Sequence, residues 1–362
     1  MAMRFAIIGL PFSGKTTIHS VLSGIDPNEL PELAPGSGIH LSTVHYENDE
    51  RLHRIAKIYN SQKITPISFE LIDFPGFDFS SPAGREQIRR HVADVRQCDL
   101  LVLVVRAFES EAVPPYRNRI NPQADINELM EEFIFADMDQ LTRRIEKLEV
   151  SSKKPTPNKE NDLKELDLLR RCLKALETGN PIEDVPANEQ EKKMLKTFAL
   201  LTQHPIVVII NIDESQIGKK FDFKLPNIVK GTDVCAGRFE QELAQLEPED
   251  RTVFMEEAGL KEFSKDRLFK LFFSGLNIVT FYTAGENEAR AWLIESNRSA
   301  VEAAGKIHTD IARGFIRAET ISYQDLIDAG SEKQAKQEGK LRAEGKDYIV
   351  KDGDIILFRF NV

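Results

Sequence analysis

Gly9-Leu10-Pro11-Phe12-Ser13-Gly14-Lys15-Thr16 constrains the fold more than any other stretch, because such a loop works only between a buried strand and a helix. The apolar run Phe5-Ala6-Ile7-Ile8 before it reads as that strand, and Thr17 to Leu22 behind it has a helical pattern. Strand, GxxxxGK(S/T), helix is the context of a phosphate loop; the alternative is a plain glycine-rich turn. Gly9 and Gly14 let the backbone fold back so that successive N–H groups face one phosphate. The helix start adds its unsatisfied amides and the positive end of its dipole. Lys15 is placed to reach the β- and γ-phosphates and the Thr16 hydroxyl to ligate Mg²⁺, with Phe12, Ser13, Gly14 and Thr17 lining the same site. The expected ligand is a nucleoside triphosphate.

Further apolar runs at Ile67–Ile72, Leu100–Val105 and Ile206–Ile210 resemble the first in reading as strands buried on both faces, which predicts a parallel sheet in an α/β layer. About a hundred residues separate the last two, and their pattern is helical. Ile126, Leu129, Met130, Phe133, Ile134, Met138, Leu141, Ile145 and Leu148 recur at three- and four-residue steps. Leu163, Leu166, Leu169, Leu173 and Leu176 repeat the spacing after a break at Ser151–Pro157, so an antiparallel helical hairpin is expected. A second helical stretch is read over Glu256 to Leu276. The last eighty or so residues change character: Phe281–Gly285 and Ala291–Ile294 read as strands, and Lys351-Asp352-Gly353-Asp354 between apolar runs reads as a tight hairpin turn. Short strands around one helix suggest a small α+β domain.

A phosphate loop alone does not separate kinases, motors and switches. Leu71-Ile72-Asp73-Phe74-Pro75-Gly76 is an apolar strand ending in DxxG, where Asp73 would hold Mg²⁺ through water and the Gly76 amide would meet the γ-phosphate. Phe77 follows, where many switch GTPases carry a water-orienting Gln, so slow intrinsic hydrolysis or outside assistance is expected. Asn211-Ile212-Asp213-Glu214 occupies the place of the base-reading N-K-x-D. With Glu214 in place of the final Asp, strict guanine selectivity loses its basis; adenine is plausible, and Glu214 could still take guanine. Val234-Cys235-Ala236-Gly237 would flank the base from the other side.

The net charge of −10 argues against general attraction to nucleic acid and leaves only local basic patches. Residues 141–180 hold ten Lys/Arg against seven Asp/Glu, and Lys333, Lys336, Lys340, Arg342 and Lys346 form another candidate. Three widely spaced cysteines, Cys98, Cys172 and Cys235, suit a reducing compartment, and the aliphatic runs are too short to span a bilayer. A cytoplasmic protein with no membrane partner and no sequence-specific DNA binding is expected.

Together these motifs resemble the YchF family of Obg-like ATPases over nearly the whole chain. The resemblance also rests on Asn121–Ile126 leading into Ala136-Asp137, on Ala304–Asp310, on Gly314–Ala318 and on Lys346–Asp354, which are similar to the family's helical insertion and its C-terminal TGS domain. It implies a P-loop G-domain (1–122 and 204–278), an inserted helical coiled-coil domain (123–203) and a β-grasp TGS-like domain (279–362). It further implies ATP preferred over GTP, Mg²⁺, and association with the ribosome, through the large subunit or rRNA, in translation or stress response. The chain departs from the family in its first switch, where Ala34-Pro35-Gly36-Ser37-Gly38 stands for a Thr-containing run and leaves Ser37 as the Mg²⁺ ligand candidate. A His assisting hydrolysis is replaced near Pro115, and the loop after DxxG becomes Ser80–Arg85. An ATPase switch is therefore expected, the alternative being an ATP-binding module without turnover.

Overall fold

The structure is a computed structural model that describes residues 3–153 and 158–361. Its elements begin β1 (Met3–Ile8), α1 (Lys15–Ser23), β2 (His40–Tyr46), α2 (Glu50–Tyr59), β3 (Lys63–Thr65), β4 (Ile67–Asp73), α3 (Pro82–Val95) and β5 (Leu100–Arg106). Next come α4 (Pro122–Ser151), α5 (Lys159–Glu177), α6 (Glu189–Lys196), β6 (Ile206–Asn211), β7 (Val229–Cys235), α7 (Gly237–Ala244), α8 (Pro248–Glu257) and α9 (Ser264–Gly275). The chain closes with β8 (Ile278–Ala284), β9 (Glu288–Glu295), α10 (Ala300–Ile307), α11 (Thr309–Arg313), β10 (Phe315–Ser322), α12 (Tyr323–Ala329), α13 (Glu332–Gln337), β11 (Arg342–Glu344) and β12 (Asp354–Phe360). Two compact units result: Met3–Ser42 with Leu71–Ser264, and Thr43–Glu70 with Lys265–Val362.

The first unit is built on a sheet of order β2-β4-β1-β5-β6-β7, in which β1, β5, β6 and β7 run parallel. β5 and β6 are buried at every position, as aliphatic strands covered on both faces must be. β4 departs from that expectation: Ile67–Glu70 alternates and only Leu71–Asp73 is fully buried, the change falling where the strand passes between units. α4 and α5 bury Leu141, Ile145 and Leu148 against Leu166, Leu169, Cys172 and Leu176 in a core of their own. The short connection between them makes this the expected antiparallel hairpin. Of the expected turn, residues 154–157 lie outside the described residues.

Where α4 meets the sheet, Arg96 at the end of α3 pairs with Asp137 at 2.6 Å. The Asp137 carboxylate also accepts from the N–H groups of Leu201 (3.0 Å) and Thr202 (2.8 Å), and Arg96 donates to the carbonyl of Ala199 at 2.9 Å. Asp137 is fully buried. The helix read over Glu256 to Leu276 is instead two helices, because Gly259 at φ 70° closes α8. Leu260 N–H reaches back to Met255 O at 2.8 Å and satisfies the last turn.

The second unit carries a sheet of order β11-β10-β12-β8-β9-β3. β8 and β9 form an antiparallel pair with Phe281 opposite Trp292, and β10 pairs antiparallel with β12. Phe281, Ile294, Ala300, Ala304, Phe315 and Phe358 fill its core. The expected turn at Lys351–Asp354 is present, but it does not join a hairpin. The Asp354 carboxylate accepts from Lys351 N (2.9 Å) and Tyr348 Oη (2.8 Å), folding the preceding run onto the turn; Ile349 then bridges Ser299 while β12 pairs with β10 and β8. Four short helices, α10 to α13, stand where one was expected. The outermost strand, β3, arrives from far earlier in the chain and runs parallel to β9, Lys63 opposite Glu288 and Thr65 opposite Arg290. α2 is tied to the same unit by Tyr282 Oη, which donates to Asp49 at 2.8 Å, and by Arg51 on Asp352 at 2.6 Å. Among the described residues no helix is long and apolar enough to cross a membrane.

Candidate functional site

The loop between β1 and α1 turns through two left-handed residues, Phe12 (φ 62°) and Gly14 (φ 85°). At Gly14 a glycine is required twice over: a Cβ there would lie 2.1 Å from Asn211 Nδ2. Asn211, at the end of β6, uses that closeness to hold the loop. Its Nδ2 donates to Ser13 O at 3.0 Å, and its Oδ1 accepts from Gly237 N at 3.2 Å. The side chain read as a base contact is thus first a staple between the loop and the start of α7, with one amide hydrogen left over.

Lys15 and Asp73 are both buried, and the Thr16 hydroxyl donates to Asp73 Oδ2 at 2.7 Å. Burial pushes the Lys15 pKa down, with the Asp73 charge opposing; burial pushes Asp73 up, with Lys15 and then Thr16 opposing. Lys15 Nζ reaches Leu10 O at 3.4 Å. The DxxG turn lies directly on the loop: Phe77 N donates to Gly9 O at 3.0 Å, and a Cβ on Gly76 would come within 2.8 Å of Pro11 Cα. Asp73 Oδ1 and Ser13 Oγ are buried without a hydrogen-bond partner. A carboxylate oxygen and a hydroxyl left open beside a buried ammonium suit a hard divalent cation and a phosphate, so the residues fit Mg²⁺ and a triphosphate.

Beside this cluster opens a cavity of ≈ 850 Å³. Phe12, Gly14, Thr17, Asn211, Ile212 and Glu214 line it, together with Phe108, Arg238 and Phe239. Cys235 and Ala236 stand behind the wall: Cys235 O accepts from Ile212 N (2.9 Å), Ala236 N donates to Glu240 (3.3 Å), and both residues are buried. Phe77 is 1 % exposed, its ring edge-on to Phe79 at 6.2 Å, in the core that also holds Leu129, Met130 and Phe133 of α4. The Ser37 hydroxyl accepts from Ile39 N at 3.2 Å within its own turn, and His40 comes to Asp73, with Nδ1 3.6 Å from Oδ2.

Sequence reasoning missed His40, which only the path of β2 brings to Asp73. It also missed Arg106, which donates to the carbonyls of Phe108 (3.1 Å), Val113 (2.8 Å), Pro114 (3.2 Å) and Phe12 (3.5 Å). A signal for Arg106 was available: it is the one charge ending the aliphatic run Leu100–Val105. Of the basic candidates in the C-terminal part, Lys340 pairs with Asp325 and Arg342 with Glu344, which spends their charge locally.

Residues 4–141 match the family model of the 50S ribosome-binding GTPases, and residues 278–361 match that of the C-terminal domain of YchF GTPases, itself described as a protein of unknown function. The chain is 34 % identical over 373 residues to the ribosome-binding ATPase YchF of Bacillus subtilis, covering 100 % of both chains. It is likewise 34 % identical over 375 residues to that of Escherichia coli O157:H7, again covering 100 % of both. Among solved structures, the Schizosaccharomyces pombe YchF GTPase superposes with a TM-score of 0.79 at 23 % identity, over 99 % of this chain and 97 % of that one. A GTP-binding protein from Pyrococcus horikoshii gives 0.60 at 16 % identity, over 99 % and 100 %; both likenesses speak for the fold.

Proposed function

The chain belongs to the YchF family, and from that premise we propose that it is an Mg²⁺-dependent nucleotide switch that slowly hydrolyses ATP, takes GTP less readily, and works on the ribosome. The observation that carries the reading is the pair of buried charges Lys15 and Asp73 beside the phosphate loop, with the Thr16 hydroxyl on Asp73. Ribosome association is supported by the names of the relatives, and the large subunit by the description of the family model over residues 4–141. The proposed division of labour is a G-domain (1–122 and 204–278), a helical arm (123–203) and a C-terminal TGS-like domain (279–362), the last two offering the ribosome contacts.

In this reading the amides of Ser13, Gly14 and Lys15 hold the β-phosphate, Lys15 Nζ turns from Leu10 O to the γ-phosphate, and the Gly76 amide meets its far side. Thr16 and Asp73 would hold Mg²⁺, which neutralises charge on the phosphates when bound. Asn211 keeps the loop in register, while Thr17, Ile212 and Glu214 border the nucleoside, with Cys235 and Ala236 supporting that wall. Ser37 is the further candidate ligand, since a hydroxyl that accepts one N–H keeps a second lone pair for a cation. The burial of Phe77 leaves no side chain at that position to orient water, which supports slow turnover and sustains the alternative of binding without hydrolysis.

The test is ATP and GTP hydrolysis with Mg²⁺, with and without purified ribosomes, alongside Lys15→Ala. Lys15-dependent ATP turnover that rises with ribosomes is the expected result. Tight ATP binding with no turnover under either condition would replace the switch by the binding module.

A further inference from the structure

The loop that carries Gly76 joins β4 to α3 without regular structure of its own. Its near side is held to β1 and the phosphate loop, Phe74 N donating to Ile7 O at 3.1 Å and Phe77 N to Gly9 O at 3.0 Å. Its far side is held by Tyr116, from the segment between β5 and α4. Tyr116 Oη accepts from Phe79 N at 3.1 Å and donates to Asp78 Oδ1 at 3.0 Å. The same carboxylate accepts from Ser80 N and Ser81 Oγ, each at 2.8 Å, and Ser81 in turn caps α3 through Gly84 N at 3.0 Å. Asp78 is thus the hub of the loop, and Tyr116 ties that hub to another part of the chain.

Tyr116 is itself firmly seated. Its ring packs on the core of the first unit, and the residues after it are pinned to α4. Arg117 pairs with Glu128 at 2.7 Å, and Arg119 with Glu128 at 2.7 Å and Asp125 at 3.3 Å. Within this stretch the backbone takes two left-handed residues in succession, Arg117 (φ 52°) and Asn118 (φ 53°). Asn tolerates that region, whereas the Cβ of Arg117 crowds the backbone there. Strain that ion pairs and packing hold in place gathers where geometry matters to function.

We infer that Tyr116 is a positioning residue for the γ-phosphate: through Phe79 N and Asp78 it holds the loop so that the Gly76 amide is set in advance for that phosphate. The inference rests on the nucleotide reading of this site and adds a residue, outside the phosphate loop and DxxG, that favours triphosphate over diphosphate. ADP offers the Gly76 amide no partner, so a loosened loop costs it nothing. ATP has to order a loosened loop on binding and loses affinity accordingly.

The discriminating variant is Tyr116→Phe, which keeps the ring and removes the hydroxyl. Binding of ADP and of the non-hydrolysable β,γ-methylene analogue of ATP, both with Mg²⁺, is measured by titration calorimetry. The analogue should bind about fivefold more weakly, the scale of one hydrogen-bonded tie, while ADP stays within about twofold. Asp78→Ala, which removes the carboxylate and leaves Tyr116 in place, should likewise weaken the analogue and spare ADP. An unchanged ratio of the two affinities in Tyr116→Phe, including equal weakening of both ligands, would overturn the inference. An unchanged ratio in Asp78→Ala would overturn the part given to Asp78. Lys15→Ala provides the separation: wild-type protein that binds neither ligand defeats the nucleotide reading itself, whereas Lys15-dependent binding with a ratio indifferent to Tyr116 defeats only the positioning role.

Discussion

Replacing Arg96 by Met tests how the helical arm is fastened to the sheet. The guanidinium is 9 % exposed and Asp137 is 0 % exposed, so the methionine fills similar space but leaves a buried carboxylate facing two backbone N–H groups and no cation. Breaking a buried ion pair from one side costs about 3–5 kcal/mol, and the two remaining N–H donors place Arg96→Met at the lower end, about 3 kcal/mol. Asp137→Leu should cost more, about 5 kcal/mol, because it strands the Arg96 charge and orphans the N–H groups of Leu201 and Thr202 together. The double variant carries no buried charge. It retains only the orphaned N–H groups, at about 1–3 kcal/mol each, and should be more stable than Asp137→Leu alone. Urea unfolding followed by far-ultraviolet circular dichroism measures the three. An Arg96→Met cost under about 1 kcal/mol, or a double variant less stable than Asp137→Leu, would refute the reasoning.

His19 is fully buried against Ser42 Oγ at 2.6 Å, and burial, then the neighbouring His40, lower its pKa from 6.5 to about 4. A depressed histidine pKa makes the fold prefer the neutral ring, so its contribution is present above pH 6.5 and is lost as pH falls towards 4. Stability should drop by about 2 kcal/mol between pH 7.5 and 5, and His19→Gln should flatten that slope in thermal denaturation. Phe77→Gln should not restore hydrolysis. The side chain points into the core beside Phe133, so the amide is buried and the protein loses about 3 kcal/mol or more. A tenfold rise in single-turnover ATP cleavage would show instead that the position faces the phosphates.

Local features were legible. The phosphate loop, the strands at Phe5–Ile8, Leu100–Val105 and Ile206–Ile210, and the stripe from Ile126 to Leu148 each announce themselves within a few residues, through spacing that only one kind of element satisfies. What stayed hidden depends on distant partners. β3 has three residues and becomes a strand only because β9 offers it an edge. His40 carries no motif, and its place beside Asp73 follows from the path of β2. Asn211 was read as a base contact because its motif is known for that, yet the two glycines that leave room for its amide, Gly14 and Gly237, give it a structural duty as well. Gly259 was present inside the helical stretch it divides, but apolar periodicity on both sides masked the stop.

The placement of β3 sets the order in which the chain can be completed during synthesis. Lys63–Thr65 leaves the ribosome well before its partner Glu288–Arg290 exists, a gap of more than two hundred residues. At about 5–20 residues per second that delay is on the order of tens of seconds. Through that interval the segment has no edge to pair with, and Asp49 waits for Tyr282. The outer strand of the final sheet is thus made early and waits for a partner, and with β12 at Asp354–Phe360 the sheet closes only when translation is nearly finished.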